Sequence, residues 1–262
     1  MLDPLGGPPP QAAVSNQRSP DEDAALTAGL PLADPRRLSR LNDYLASLSF
    51  DGADPAELGT ALRGLIDAQL GNIPLPGRGA TLARWRMLAA VAARDVGLIK
   101  LYEGHTDALA ILAELGQRAP PAGSRWGVWA AEPPTARLVA HAAPDDRSAE
   151  QDGGSLVLHG VKAWCSGAAT VSHALVTAWL ESGPASAPPR AVPILAAVRL
   201  DQPGVSVTSQ GWNAVGMRAT ASVDVHFDGV RATRVGKPGA YLDRAGFWHG
   251  GAGIAACWYG AA

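Results

Sequence analysis

The sequence predicts an α+β protein: an N-terminal α-helical domain, then a small antiparallel β domain, then a closing helix of small residues. Three observations predict it. Leucines recur at helical spacing behind Asp34-Pro35 and Asp54-Pro55. Short alternating runs separated by turn residues fill the stretch from 137 to 228. After Asp243 the chain turns small and apolar, through Gly250-Gly251-Ala252-Gly253-Ile254-Ala255-Ala256.

Residues 1–20, with Pro8-Pro9-Pro10 and scattered polar side chains, read as a flexible leader. Asp34-Pro35 then supplies an N-cap followed by proline at the first helical position, and Leu38, Leu41, Leu45 and Leu48 mark one face. Asp54-Pro55-Ala56-Glu57 repeats the signal with the spacing of a capping box, in which Glu57 reaches back to the Asp54 N–H. Leu58, Leu62, Leu65 and Ile66 form the stripe of that helix. Gly71 to Gly79, with Pro74 and Pro76, is a loop, and two further helices are expected over 81–96 and 98–115.

At Pro120-Pro121 the character changes. Arg137–His141 and Ser155–His159 flank a polar stretch ending in Asp152-Gly153-Gly154, which predicts a hairpin with a long loop. Strands are also expected at 173–179, 193–199 and 204–208. From Ser222 to Asp228, Val223, Val225 and Phe227 point one way while Asp224, His226 and Asp228 point the other. Such strands make a small antiparallel barrel or sandwich, ended by Lys237-Pro238-Gly239.

Composition narrows the function. The 262 residues are 47% apolar and 18% charged with net charge −2, which gives no basic bias toward nucleic acid or anionic membrane. No run of about 18 apolar residues suggests a membrane span, and Met1 to Asn16 lacks the pattern of a signal peptide. Cys165 and Cys257 fit neither a disulfide framework nor a zinc site; two reduced thiols in a cytoplasmic protein are the simplest account.

Three patches carry a more specific message. Lys162-Ala163-Trp164-Cys165-Ser166-Gly167-Ala168, the segment from Gly216-Met217-Arg218 through Ser222 to Val230, and Ala131-Glu132-Pro133 together resemble the middle β domain of the acyl-CoA dehydrogenase family. The resemblance implies a β-barrel that faces FAD, flanked by an N-terminal helical domain and the first helix of a second, C-terminal bundle. The implied division is a leader over 1–20, helices over 21–119, the barrel over 120–240, and the start of a truncated bundle over 241–262. It also implies that Trp164 packs along the flavin ring and that Ser166 offers its hydroxyl and backbone N–H near the reactive edge. The neighbouring strand contributes Trp129 and Ala131, with alanine where the family usually has threonine. Glu132 is then structural, and Arg218 either meets a flavin or CoA phosphate or pairs with Asp224 or Asp228.

The implied activity is FAD-dependent α,β-dehydrogenation of an acyl thioester such as acyl-CoA, by a homo-oligomer when complete. That chemistry needs a carboxylate base with a raised pKa. In most of the family it lies in the last third, and in a minority at the position of Arg244, which cannot act as a base. No catalytic residue is therefore assigned, and the chain reads as truncated and impaired. Two alternatives remain: a flavin-dependent monooxygenase on the same fold, and a non-catalytic remnant or partner-binding subunit whose apolar stripe at 247–262 has no partner.

Two other patterns are set aside. Gly251-x-Gly253-x-x-Ala256 has dinucleotide-loop spacing but no preceding strand, so it reads as close helix packing. Glu103-Gly104-His105-Thr106-Asp107 looks like a metal or acid–base cluster, yet it has one histidine on the stripe of Leu98, Leu101, Leu109 and Leu112. A satisfied core or interface histidine is the expectation, and no metal is assigned.

Overall fold

The computed structural model describes residues 31–144, 152–182 and 190–262; the leader expected over 1–20 lies outside the described residues. Four helices come first: α1 (Pro35–Ser47), α2 (Pro55–Asp67), α3 (Thr81–Arg94) and α4 (Val96–Glu114). Both Asp-Pro signals act as read. Asp34 and Asp54 cap α1 and α2 by accepting the N–H groups of Arg36 and Ala56. The capping box differs in one partner: Glu57 accepts from the Asp51 N–H, because the Asp54 N–H is already spent on the Asp51 carbonyl. Leu41, Leu45, Leu58, Leu62 and Leu65 are buried together with Met87, Leu88 and Val91 of α3.

α4 joins two cores. Leu98, Leu101 and Tyr102 pack into the helical core, while Ala108, Ile111 and Leu112 pack with Trp126, Leu175, Leu195 and Val235 of the β layer. At Gly104 it runs beside β1, where an added Cβ would stand in ordinary contact with the Val128 backbone at 3.8 Å. His105 is buried, as the reading of it as a core or interface histidine expected, and its Nδ1 accepts the Trp126 N–H at 3.3 Å, at the interface with the β layer.

The β layer contains β1 (Trp126–Trp129), β2 (Leu138–Ala142), β3 (Ser155–Cys165), β4 (His173–Ser182), β5 (Arg190–Arg199), β6 (Val205–Val207) and β7 (Val223–Val235). Pairing runs β4-β2-β3-β7-β5 and returns from β5 to β4, so five strands close a ring. β1 attaches to β4, and β6 to β7. The hairpin read from Arg137–His141 and Ser155–His159 forms, with Leu138 opposite Gly160 and Ala142 opposite Leu156, although β3 runs six residues beyond its expected end. Val223, Val225 and Phe227 point into the barrel core.

The barrel departs from a purely antiparallel one in two pairings, because β4 runs parallel to both β1 and β2. The cause is the 166–172 segment. Ala168 and Val171 fold into the barrel core as a plug, which carries the chain across the barrel end and sets β4 beyond β2 instead of beside β3.

After β7, a short α5 (Ala240–Asp243) leads to α6 (Phe247–Ala261). α6 is the closely packed helix that its small residues foretold. Gly253 sits on Leu88 and Trp85, and Gly260 lies against the Ala89 carbonyl. The expectation of an unpartnered stripe is therefore corrected on this face, which packs on α3; Trp248, Trp258 and Tyr259 on the remaining surface are exposed.

Candidate functional site

The motif residues gather at one end of the barrel. β3 is bulged between Lys162 and Cys165, and Trp164 takes a left-handed φ of +58°. That conformation turns its indole out of the ladder, leaving it 52% exposed while Cys165 stays buried. For a bulky residue such a backbone is uncommon and costs energy, so the surroundings must hold it. The Ser166 N–H donates to the Trp164 carbonyl at 3.1 Å, and a chain of hydroxyls follows. Ser166 Oγ lies 2.7 Å from Ser222 Oγ, which lies 3.0 Å from Thr220 Oγ1, and the Thr220 hydroxyl donates to the Met217 carbonyl at 2.9 Å.

Trp129 belongs to this cluster in a different way from the one its strand position suggested. Its ring is buried in the barrel core, and its Nε1 donates to the Ser166 carbonyl at 3.1 Å. The side chain thus positions Ser166 and presents no face to a ligand. Ala131 follows β1 half-buried, and its N–H has no hydrogen-bond partner among the described residues.

Glu132 has the clamping geometry expected of a structural residue. It accepts from Trp179 Nε1 at 3.1 Å and lies 3.6 Å from Lys162 Nζ. The buried ammonium also donates to the Thr177 carbonyl and hydroxyl at 2.8 and 2.7 Å. Burial lowers the Lys162 pKa, and Glu132 opposes the shift. Arg218 is exposed and makes no ion pair with Asp224 or Asp228 among the described residues.

Arg244 lies far from a base in character. Its guanidinium is buried between two carboxylates of α4, 3.1 Å from Glu114 and 3.3 Å from Asp107, and it ties the start of α6 to that helix.

A cavity of about 380 Å³ opens between α4, the 216–217 turn and α6, lined by Val96, Ile99, Met217, Ile254, Cys257 and Trp258, with Lys100 and Glu103. Its volume lies within the range of small-molecule sites. Met217 links it to the hydroxyl chain described above. Lys100 links it a second time, because Lys100, Trp129 and Ser166 share the lining of a crevice of about 10 Å³. Lys100 escaped the sequence reading, and Glu103 entered it only as part of the 103–107 cluster that was set aside around His105. The usable signal was that Lys100, Glu103 and Asp107 follow one another at three- and four-residue spacing.

A helical layer thus packs on a small closed barrel, with an aromatic–hydroxyl rim at the barrel end and an apolar cavity between the helices. Residues 128–230 match the family profile described as "Acyl-CoA dehydrogenase, middle domain", the domain that the motifs at 131–133, 162–168 and 216–230 resemble. Solved structures agree in fold. KijD3, solved with FMN and a dTDP-linked amino-keto sugar, is 20% identical with a TM-score of 0.61, over 91% of this chain and 63% of that one. Glutaryl-CoA dehydrogenase from Mycobacterium smegmatis is 18% identical with a TM-score of 0.61, over 93% and 66%. The dibenzothiophene monooxygenase TdsC from Paenibacillus sp. A11-2, solved with FMN and indole, is 23% identical with a TM-score of 0.51, over 86% and 54%. The chain thus spans less than two thirds of the length of these proteins. No curated protein matches it by sequence. No described helix is long and apolar enough to cross a membrane.

Proposed function

We propose that the chain is an acyl-CoA dehydrogenase-like, flavin-dependent oxidoreductase that takes its substrate in the cavity beside the barrel rim. The single observation that supports this reading is that Lys100 lines both the apolar cavity and a small crevice it shares with Trp129 and Ser166. The rim fits a flavin ring: a half-exposed indole offers a flat apolar contact, a hydroxyl stands beside it, and the Ala131 N–H is free to donate. A bound flavin, FAD by the family resemblance, would supply the two-electron acceptor. In this reading Trp164 stacks on the ring, Ser166 and Ala131 bond its edge, and Trp129 holds Ser166 in place. The first reading of the reaction is α,β-dehydrogenation of an acyl thioester by a homo-oligomer.

A specific observation favours monooxygenation as the second reading. The position where a minority of the family carries its base is occupied by Arg244, locked by Asp107 and Glu114. Oxygenation needs no α-proton base there.

Titration of FMN and FAD with the full chain, followed by flavin fluorescence, tests the site. Weak binding is expected, with affinity falling about tenfold in Trp164→Ala, the equivalent of about 1.4 kcal/mol, and less in Ser166→Ala. Equal affinity in wild type and Trp164→Ala would remove the ring from this rim, and no binding of either flavin would favour a non-catalytic partner-binding protein. Dye reduction by acyl-CoAs against oxygen consumption with reduced flavin separates the two reactions.

A further inference from the structure

The walls of the cavity are apolar, yet two charged side chains, Lys100 and Glu103, stand among its lining residues. Their charged atoms are 3.6 Å apart, too far for a direct hydrogen bond. Burial raises the Glu103 carboxyl, Lys100 opposes that shift, and Asp107 on the next turn adds to it. Lys100 is more exposed than its partner, at 38% against 15%, and its ammonium has three donors to distribute.

An apolar molecule that fills the cavity expels water from this loose pair. Leaving two imperfectly matched charges in a dry site is costly, so the occupant must replace the water it removes. Glu103 accepts a hydrogen bond whether ionised or protonated, and Lys100 only donates. The complement is therefore a group with one donor and one acceptor. With Glu103 ionised opposite Lys100, a carboxylate end would set a like charge beside Glu103, an ammonium end would do so beside Lys100, and an ether end would leave Glu103 unmatched.

We infer that the cavity takes an apolar molecule ending in a hydroxyl or a primary carboxamide, whose donor is accepted by Glu103 and whose acceptor is met by Lys100. The inference rests on the reading of the cavity as the substrate site, and it sharpens that reading from apolar substrates in general to those with a neutral donor–acceptor end.

The test is calorimetric titration of the full chain, without flavin, by octanol, octanamide, octyl methyl ether, octanoate and octylamine. Octanol and octanamide are expected to bind about 2- to 10-fold more tightly than the other three, the ratio that one net hydrogen bond gives. Location is read from Cys257, which lines the cavity while Cys165 is fully buried: the two favoured compounds should slow alkylation of Cys257. Substitution should shift the preference in opposite directions. Glu103→Leu is expected to favour octanoate and Lys100→Met to favour octylamine, a pair of responses that misfolding cannot produce. Equal affinity for octanol and the ether, no binding of any compound, no protection of Cys257, or unchanged preferences in both variants would each overturn the inference. Because no flavin is present, retained flavin binding alongside any of these results sinks the substrate class alone, whereas loss of flavin binding with the preference intact sinks only the cofactor site.

Discussion

In the barrel, buried polar groups are matched: Lys162 meets Thr177 and Glu132, the Trp129 indole meets Ser166, and the core between the strands is apolar throughout. In the helical layer and its contact with α6, Arg84, Trp85, Glu114 and Arg244 each keep a buried nitrogen or oxygen without a hydrogen bond. The difference follows from closure. A ring of strands satisfies its own backbone and encloses its own core, whereas helices meet through side chains, so charged groups end up buried wherever two helices must be held in one orientation. The barrel end carries the motif residues, and the helical side supplies most of the cavity wall.

The largest expected effect comes from breaking the tie between the two helices. Arg244→Met leaves Asp107 and Glu114 facing a buried site without their cation, and loss of one partner from such a pair costs about 3–5 kcal/mol. Urea unfolding should show the loss, and hydrogen exchange should place it in α6 and the second half of α4. If amides of β3 and β7 lose protection equally, the two regions form one cooperative unit and the contrast drawn above fails.

A second effect sits at the seam between them. Burial pushes the His105 pKa down from 6.5 to about 4, with Arg125 adding to the shift. The unfolded chain therefore takes up a proton before the folded one does, so stability is lost as pH falls from 6.5 toward about 4. The loss amounts to about 3 kcal/mol when complete. Unfolding free energies measured from pH 7 downward should decline more steeply for wild type than for His105→Gln. Parallel curves would mean that the imidazole is protonated in the folded protein and that the seam is wet.

The smallest effect probes the close contact of α6 with α3. Gly260→Ala places a methyl group against the Ala89 carbonyl, and overpacking of this kind costs about 1–3 kcal/mol. The thermal midpoint should fall, and the cavity lined by Trp258 should widen and bind octanol less tightly. A variant as stable as wild type would show that α6 slides freely, which would make the cavity wall softer than the barrel by more than its contacts suggest.

What the sequence made legible is local. Proline and aspartate at the helix starts, the leucine stripes, the hairpin of Leu138–Ala142 with β3 and the alternation from Val223 to Phe227 all depend on neighbours within a few residues, so they could be read directly. The Trp164–Ser166 patch was legible through its resemblance to a known family, which the matched profile bears out. Tertiary structure decided the rest. Only ring closure sets β4 parallel to β1 and β2, because that direction depends on the 166–172 plug entering a core that five strands must first create. Only packing turns the Trp129 ring inward to hold Ser166, although its place in the strand allowed it to face a ligand. Arg244 shows the same limit, since its partners lie 130 and 137 positions away. The cavity is the clearest case: α4, the 216–217 turn and α6 each contribute an ordinary apolar face, and a cavity exists only because the fold sets those faces around Lys100 and Glu103. Spacing along a chain records which residues share a face; which faces come to enclose a volume is settled by long-range packing, and no short window of sequence contains it.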